Sequence, residues 1–385
     1  MVDKNNNACC GCTACKYICP VNAIHMEKNK KGFWVPKVNN EKCIFCNKCN
    51  NICPINNEKG LKNGKSKEQY IAVAKKKQVY EMASSGGIFP LIAEKFINNG
   101  EWVAGCGYGK NLMPMHKIIQ EQEQLDDLCR SKYVQSSMSD VIREIDIKLK
   151  AGKKVLFVGT PCQVAGVKKC LNNVNLYLVD IVCHGVPSQE LFKKNKEYIE
   201  HKEKRKLIRY EFRLKNRKKN HYYATYLFEN GAKKIIPYYK DLFFCDFYEM
   251  RSLNEICYHC PFACPQRVGD ITLGDYEWGK KYHMQFNNYN NISCILVNSE
   301  KGIEMFKEIS HDIKYEITEW DNIVERNSNL IHPTQQPKDS INYYEYIDNI
   351  GYEKYAFKYF HSMRYLKKTC IANFIRKLKI KKGRK

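Results

Sequence analysis

Long apolar runs are missing from this chain of 385 residues. One of the longest, from Leu176 to Cys183, is interrupted by Asp180 and falls far short of the roughly 18 to 20 residues of a membrane-spanning helix. The first residues, Met-Val-Asp-Lys-Asn-Asn-Asn, contain no apolar stretch typical of a secretory signal. We therefore expect a soluble, cytoplasmic protein.

Acidic residues are scarce relative to basic ones, with 41 Asp plus Glu against 64 Lys plus Arg and a formal net charge of +23. This balance favours an anionic partner, which could be nucleic acid, a membrane surface, a phosphorylated ligand or an acidic protein. Apolar residues make up 44% of the chain, which excludes disorder throughout. At about 150 residues per domain, the length predicts two or three domains.

Cysteine, in contrast, is abundant, with 20 residues. Clustered cysteines in a cytoplasmic chain indicate metal or redox chemistry rather than disulfides. The spacing C-x2-C-x2-C-x3-C-P occurs twice, first at Cys9, Cys12, Cys15 and Cys19 before Pro20, and again at Cys43, Cys46, Cys49 and Cys53 before Pro54. The repeat predicts two similar halves of one small domain.

This spacing is typical of bacterial ferredoxins, in which the fourth cysteine of each run binds the cluster of the other run. The predicted ligands of one 4Fe-4S cluster are Cys9, Cys12, Cys15 and Cys53, and those of the other are Cys43, Cys46, Cys49 and Cys19. Zinc is the alternative, although it favours two CxxC pairs separated by longer spacers. Cys10 fits neither run and is interpreted as a thiol that binds no metal.

The remaining sequence predicts an α/β body. Strand, turn and helix alternate, with strands at 70–74, 102–104, 155–158 and 176–182, and this order favours a largely parallel sheet. One long helix is predicted from about Leu125 to Lys150. From Ile208 the apolar residues alternate, and Asn230-Gly231 predicts an antiparallel hairpin.

The expected fold is thus a mixed, partly parallel α/β body with an antiparallel hairpin portion, preceded by a small α+β dicluster ferredoxin domain. The predicted divisions are 1–62 for the ferredoxin domain, 68–150 and 151–345 for two parts of the body, and 346–385 for a basic tail. A polar linker ending near Lys67 is expected to keep the ferredoxin domain separate from the body.

A further group of cysteines lies at Cys257, Cys260 and Cys264. Three thiols can bind a metal but leave a four-ligand site incomplete, so a distant fourth ligand is required. We expect Cys162 or Cys183, which follow predicted strands, with Cys245 and His259 as weaker alternatives. The expected group is a third 4Fe-4S cluster that bridges the gap to the ferredoxin domain, and a structural zinc site is the alternative.

Small-residue turns mark a candidate ligand-binding edge of the sheet. The turn 84–87, Ser-Ser-Gly-Gly, opens a predicted helix whose amides suit a phosphate group, although such residues also simply cap helices. The turn 159–162, Gly-Thr-Pro-Cys, follows a buried strand, where open α/β sheets bind ligands. Asp180 is either a satisfied sheet residue or a site group. Lys132 and His184 are candidates to contact anionic cofactor groups, or are solvated surface residues.

Five segments in order resemble the β-subunit family of coenzyme F(420)-reducing hydrogenases and dehydrogenases, with a ferredoxin fused in front. The segments are 84–87, 131–136, 159–166, 180–188 and 269–275, and the resemblance extends from about residue 69 to 360. It implies an FAD-dependent iron-sulfur oxidoreductase that exchanges a hydride with the deazaflavin F(420) and single electrons with its clusters. We expect FAD close to Ser85, Gly86, Gly87, Thr160 and Cys162, and no catalytic residue is assigned.

Two other classes of protein were weighed against this one. An electron-transfer adaptor would relay electrons to a partner enzyme without flavin or substrate of its own. A nucleic-acid-binding protein is suggested by the charge and the basic stretch from Lys193 to Tyr226, but no recognised nucleic-acid module is present, so nucleic acid is not the expected partner. The expected partner is a redox protein or a hydride-carrier cofactor.

The basic tail predicts a peripheral contact. One apolar helix face is formed by Ile371, Phe374, Ile375 and Leu378, with lysines and arginines around it. This pattern is typical of an interfacial helix on an anionic membrane or in a partner groove. A solvated basic end is the alternative.

Overall fold

The computed structural model describes residues 8–215, 222–277 and 279–370. The apolar face predicted in the tail, residues 371–378, lies outside these ranges. None of the helices within them combines the length and the apolar character needed to cross a bilayer.

The N-terminal domain contains helix α1 (Ala14–Ile18), strands β1 (Ile24–Lys28) and β2 (Trp34–Val38), and helix α2 (Lys48–Asn51). The strands form an antiparallel hairpin. The sequence repeat is also a repeat of backbone conformation. Gly11 and Thr13 have φ of 74° and 62°, and the equivalent residues of the second run, Phe45 and Asn47, have φ of 55° and 57°. Left-handed backbone is unfavourable for a bulky residue such as Phe45, so the loop shape is imposed by its surroundings.

The body is built on an eight-stranded mixed sheet with strand order β13-β3-β12-β11-β7-β6-β4-β5. Its strands are β3 (Glu68–Ala74), β4 (Trp102–Tyr108), β5 (Pro114–Ile119), β6 (Val155–Gly159), β7 (Leu176–Ile181), β11 (Ile271–Tyr276), β12 (Ile292–Val297) and β13 (Ile313–Ile317). The pairs β11-β7, β7-β6 and β6-β4 are parallel and the other four pairs are antiparallel. The mixed fold is confirmed, while the expectation of a largely parallel sheet is wrong, because the late strands join antiparallel to one edge.

Helices cover both faces of this sheet. The body helices before β11 are α3 (Lys77–Met82), α4 (Ile88–Asn98), α5 (Leu125–Leu128), α6 (Val141–Lys150), α7 (Pro161–Cys170), α8 (Gln189–Glu203) and α9 (Leu242–Tyr248). Those after it are α10 (Gly279–Tyr282), α11 (Glu300–Ile309), α12 (Trp320–Val324), α13 (Tyr343–Ile350) and α14 (Tyr352–Phe360). Helices α4 and α11 contribute to one apolar cluster, and α6 and α7 contribute to another.

A smaller antiparallel sheet, with strand order β10-β9-β8, lies beside the main one. It comprises β8 (Leu207–Glu211), β9 (Tyr223–Phe228) and β10 (Lys233–Pro237). The turn between β9 and β10 contains Gly231 with φ of 78°, as the Asn-Gly hairpin signal predicted. Helices α8, α9, α13 and α14 pack on this sheet around an aromatic core.

The long helix predicted from Leu125 to Lys150 is wrong. Residues 129–140 separate α5 from α6 and contain left-handed residues at Arg130 and Ser139. This segment pairs with β5 instead: the Ser137 amide donates to the Pro114 carbonyl at 3.0 Å, and the His116 amide donates to the Ser137 carbonyl at 2.8 Å. Tertiary pairing therefore overrides the helical spacing of the buried apolar residues.

The expected separation of the ferredoxin domain by a polar linker is also wrong. Leu61 is buried with α6 and α7, and the Asn63 amide donates to the Arg267 carbonyl at 2.7 Å. The Trp34 amide donates to Gln135 Oε1 at 2.8 Å, and Asn254 Nδ2 donates to the Cys9 carbonyl at 3.0 Å. The N-terminal domain is thus docked directly on the body.

Candidate functional site

The first group of cysteines lines one cavity of the N-terminal domain. Cys9, Cys12, Cys15 and Cys53 all border it, so the fourth cysteine of the second run meets the first three of the first run. Burial, with Cys12 and Cys53 close by, raises the pKa of Cys9 to about 12. The Cys9 sulfur also accepts a hydrogen bond from the Gly11 amide at 3.3 Å. This is the grouping that the ferredoxin spacing predicts.

The second group lies on the other side of this domain. Cys19, Cys43 and Cys49 pack against the apolar pair Ile24 and Val38, whereas Cys46 is exposed. The Ala23 amide donates to Cys19 Sγ at 3.2 Å, and the Phe45 amide donates to Cys43 Sγ at 3.4 Å. The latter bond repeats the one at Cys9, so backbone amides are directed at sulfur in both halves.

A third group of cysteines forms in the body. Cys162, Cys183, Cys257 and Cys260 are mutual neighbours, so both proposed distant cysteines reach the C-terminal pair. Burial, together with the nearby thiols, raises the pKa of Cys183 to about 12 and that of Cys260 to about 11. Gly185, with φ of 125°, permits this approach, because a β-carbon there would lie 2.9 Å from the β-carbon of Cys257.

The other candidate ligands lie elsewhere. Cys264 Sγ donates to the Gln266 carbonyl at 3.2 Å and interacts with Lys62. Cys245 is buried in the aromatic core, where its sulfur lies 3.0 Å from the Tyr359 hydroxyl. His259 is exposed. The structure does not bring these three residues to the group of four.

The donor set suits a multinuclear cluster better than a single ion. In the described part of the chain, no three His, Cys, Asp or Glu side chains converge on one ion position. A zinc site requires such convergence, with sulfurs at about 2.3 Å from one point, whereas a cubane offers a separate iron to each thiolate. Four neighbouring buried thiols would also be stabilised as thiolates by a bound metal.

Cys10, the thiol that fits neither run, lies between two of these groups. Its sulfur hydrogen-bonds with those of Cys12 and Cys162, and these interactions raise the pKa of Cys10. Helix α7 approaches the same loop at Gly166, where a β-carbon would lie 2.9 Å from Cys12 Sγ. The first cysteine group and the body group are therefore in contact through one thiol.

A cavity of about 640 Å³ opens beside the body group. It lies at the carboxyl ends of the parallel strands, since Gly159 ends β6, Val182 follows β7 and Gly274 belongs to β11. This edge is where open α/β sheets bind ligands. Six of the seven predicted cofactor-binding residues line it: Ser85, Gly87, Lys132, Thr160, Cys162 and His184. Gly86 does not, because it packs on the sheet, where a β-carbon would lie 2.3 Å from the Ala72 carbonyl.

One end of the cavity is suited to phosphate. The first turn of α4 faces it beginning at Gly87, whose φ of 91° favours glycine. Lys132 Nζ donates to the Cys129 carbonyl at 2.8 Å, and burial lowers the pKa of this lysine. Arg130 adds a second cation to the same wall. A helix N-terminus beside two cations is a favourable environment for an anion.

The rest of the wall contains residues that the sequence did not single out. Arg213 pairs with Asp275 at 2.6 Å, and burial together with the neighbouring Arg213 lowers the pKa of His184. Tyr133 stacks on Phe247 with ring centroids 4.4 Å apart. Asp275 and Tyr133 lie within segments that carried the family resemblance, but Arg213 has no local signal.

Thr160 connects the cavity to a buried polar chain. It caps α7 reciprocally with Gln163, and its Oγ1 lies 3.2 Å from Cys162 Sγ. Gln163 Nε2 donates to Ser136 Oγ at 2.9 Å, and Ser136 Oγ lies 3.0 Å from His116 Nδ1. Burial lowers the pKa of His116 to about 4, so this histidine is neutral at pH 7.

Asp180 is a satisfied sheet residue rather than a site group. Its carboxylate accepts hydrogen bonds from the Thr272 hydroxyl and from the amides of Val268 and Gly269, each amide at 3.2 Å. Arg267 Nη2 lies 3.5 Å away. The carboxylate thus ties the 267–272 segment to β7 and holds one side of the ligand edge in place.

Comparison with known proteins agrees with this geometry. Residues 8–57 match the 4Fe-4S dicluster domain, so the chain is an iron-sulfur electron-transfer protein. Residues 152–323 match the C terminus of the beta subunit of coenzyme F(420) hydrogenase/dehydrogenase, and this part of the chain belongs to that oxidoreductase family, which confirms the resemblance.

Among solved structures, the chain is similar to one described as the F(420)-reducing NiFe hydrogenase complex from Methanosarcina barkeri. The two share 15% sequence identity with a TM-score of 0.48, and the match covers 75% of this chain and 93% of the other. No curated protein matches the chain.

Proposed function

We propose that this protein is an iron-sulfur flavoprotein oxidoreductase that passes electrons between a hydride carrier, FAD and three 4Fe-4S clusters. The observation that carries the proposal is the double position of Cys162, which lines the cavity and also belongs to the body group of four cysteines. A group bound in the cavity would thus lie next to a metal-binding group.

FAD would be held along the ligand edge. The Ser85 and Gly87 turn, with Lys132, would receive its phosphates, while Thr160, Cys162 and His184 line the part of the cavity nearer to the body cysteines. A volume of about 640 Å³ lies in the range of small-molecule and cofactor sites, about 300 to 1,000 Å³. A flavin supplies the exchange between two-electron hydride transfer and one-electron transfer.

The third cluster would be bound by Cys162, Cys183, Cys257 and Cys260. This revises the set expected from the sequence, because Cys162 and Cys183 both take part and Cys264 does not. Cys10 then lies between this group and the cysteines of the first ferredoxin cluster, so the body and the N-terminal domain are connected without a gap. The hydride carrier is proposed to be a deazaflavin such as F(420), on the strength of the family match.

Anaerobic purification followed by cluster reconstitution tests the proposal. Three clusters predict about 12 irons per chain, at four irons per cubane, and chromatography of the denatured protein should show FAD. About 8 irons with no retained or bound FAD would replace this proposal with the electron-transfer adaptor. About 8 irons with one zinc would make the body group a structural site.

A further inference from the structure

The loop 41–48 is an exposed counterpart of a loop that is already docked. It lies between β2 and α2 and contains Ile44 and Phe45, whose exposed fractions are 59% and 67%. Within the described N-terminal domain, Cys46 is the only exposed cysteine. An apolar, exposed surface next to a cysteine group therefore interrupts an otherwise polar face.

The internal repeat indicates what such a loop does. The residues equivalent to Ile44 and Phe45 in the first run are Cys10 and Gly11, and they lie against the body. Cys10 meets Cys162 there, and a β-carbon on Gly11 would lie 2.7 Å from Gln135 Nε2. The first loop thus presents its cysteine group to a redox partner within the same chain. The second loop has the same backbone conformation and, within the described residues, lacks a covering element.

The charge around the second loop selects the kind of partner. Lys37, Lys42 and Lys48 are exposed, against one exposed acidic residue, Glu41. Among the described residues none of these three lysines forms an ion pair, so their charges remain available. An apolar centre with a charged rim is typical of transient protein interfaces, and a basic rim favours and steers an acidic partner.

We propose that the loop 41–48 is the docking surface for a small acidic protein that carries one electron. This inference rests on the proposed binding of a cluster by Cys19, Cys43, Cys46 and Cys49. In the transfer, the carrier loses one electron and the cluster gains it, and no bond or proton is exchanged. The first loop then serves the body and the second serves the external carrier.

The test uses the full reconstituted chain and reduced flavodoxin, an acidic one-electron carrier, as the probe. The second-order rate of cluster reduction is followed by visible absorbance at low and high salt. Affinity for oxidised flavodoxin is measured separately by calorimetry. Methyl viologen, a small reductant that needs no docking surface, reports whether the clusters themselves are intact.

Two variants change the surface. Lys42→Glu with Lys48→Glu should slow reduction by flavodoxin about tenfold at low salt and remove its salt dependence. Phe45→Asn removes the ring but keeps a residue that tolerates left-handed backbone, and it should weaken flavodoxin binding severalfold. Lys76→Glu with Lys77→Glu, which changes exposed lysines of the body, is the matched control and should behave as wild type.

Equal flavodoxin rates and affinities in all variants would overturn the docking proposal, as would equal slowing with methyl viologen. Self-association of the wild type that Phe45→Asn abolishes would overturn it in favour of a second copy of the chain. Flavodoxin that binds but does not reduce the protein would support the docking surface and contradict the cluster assignment on which it rests.

Discussion

Gly166 of α7 and Cys12 of the first cysteine run are in direct contact. A β-carbon on Gly166 would lie 2.8 Å from the Cys12 β-carbon and 2.9 Å from its sulfur, closer than such atoms approach in proteins. This contact joins a metal-binding loop of one domain to a helix of the other. It makes the fit between the domains sensitive to a single methyl group.

Gly166→Ala should therefore destabilise the protein. Alanine favours a helix over glycine by about 1 kcal/mol, but overpacking at a tight contact costs about 1 to 3 kcal/mol, so a net loss of about 1 kcal/mol is expected. Urea unfolding measures the loss, and iron analysis reports whether the Cys12 loop still holds its cluster. Gly64→Ala is the control, because nothing lies within 4 Å of that position. Equal stability of the two variants would contradict the contact.

The body group of cysteines predicts different results for two neighbouring thiols. Cys183→Ser should remove about 4 irons per chain, one cubane, because Cys183 adjoins Cys257 and Cys260. Cys264→Ser should leave the iron content unchanged, because this thiol interacts with Lys62 and the Gln266 carbonyl instead. Loss of iron only in the second variant would reverse the assignment.

Lys132 predicts the phosphate end of the flavin site. Lys132→Gln should raise the Kd for FAD about tenfold, since a charge-assisted hydrogen bond contributes about 1.5 kcal/mol or more. Lys132→Arg, which keeps the charge, should recover most of the affinity. Lys110→Gln is a surface control, because Lys110 is exposed and does not line the cavity. Fluorescence titration of the flavin-free protein gives the three constants, and an unchanged constant for Lys132→Gln would place the phosphates elsewhere.

His116 predicts a loss of stability in acid. Its pKa is about 4 in the folded protein against 6.5 as its usual value, so the unfolded chain binds more protons between these limits. Stability from this group is complete above pH 6.5 and falls as the pH drops toward 4. The loss between pH 7 and 5 should be about 2 kcal/mol, at 1.36 kcal/mol per pKa unit. His116→Gln should flatten this part of the stability curve in urea unfolding, and an unchanged slope would assign the acid sensitivity to other groups.

Local spacing allowed the sequence to predict part of the site. The ferredoxin cysteines follow a strict register over short intervals, and the turn at Thr160 follows directly from a buried strand. Both patterns depend on short segments whose geometry is set nearby. The match to the 4Fe-4S dicluster domain over residues 8–57 bears out the ferredoxin prediction.

Long-range contacts set the remaining features, and the sequence could not show them. Cys264 has the same local spacing as a ligand, but after Pro261 its thiol turns toward Lys62, which lies far earlier in the chain. Cys10 has no register, yet tertiary packing places it beside Cys162. Arg213 reaches the cavity through its pairing with Asp275, also distant in sequence. Each position is fixed by docking between distant segments, to which hydrophobic periodicity is blind.

The wide sequence separation of the body cysteines sets an order of events during synthesis. Both halves of the ferredoxin domain are complete once Cys53 has been made, but Gly166, which covers Cys12, is added much later. At about 5 to 20 residues per second, this separation of roughly 110 residues leaves the inner ferredoxin thiols uncovered for about 6 to 22 s. The body group requires Cys260 and closes last. Metal insertion into the N-terminal loops can thus begin on the growing chain, whereas the body site can be filled only when most of the protein has emerged.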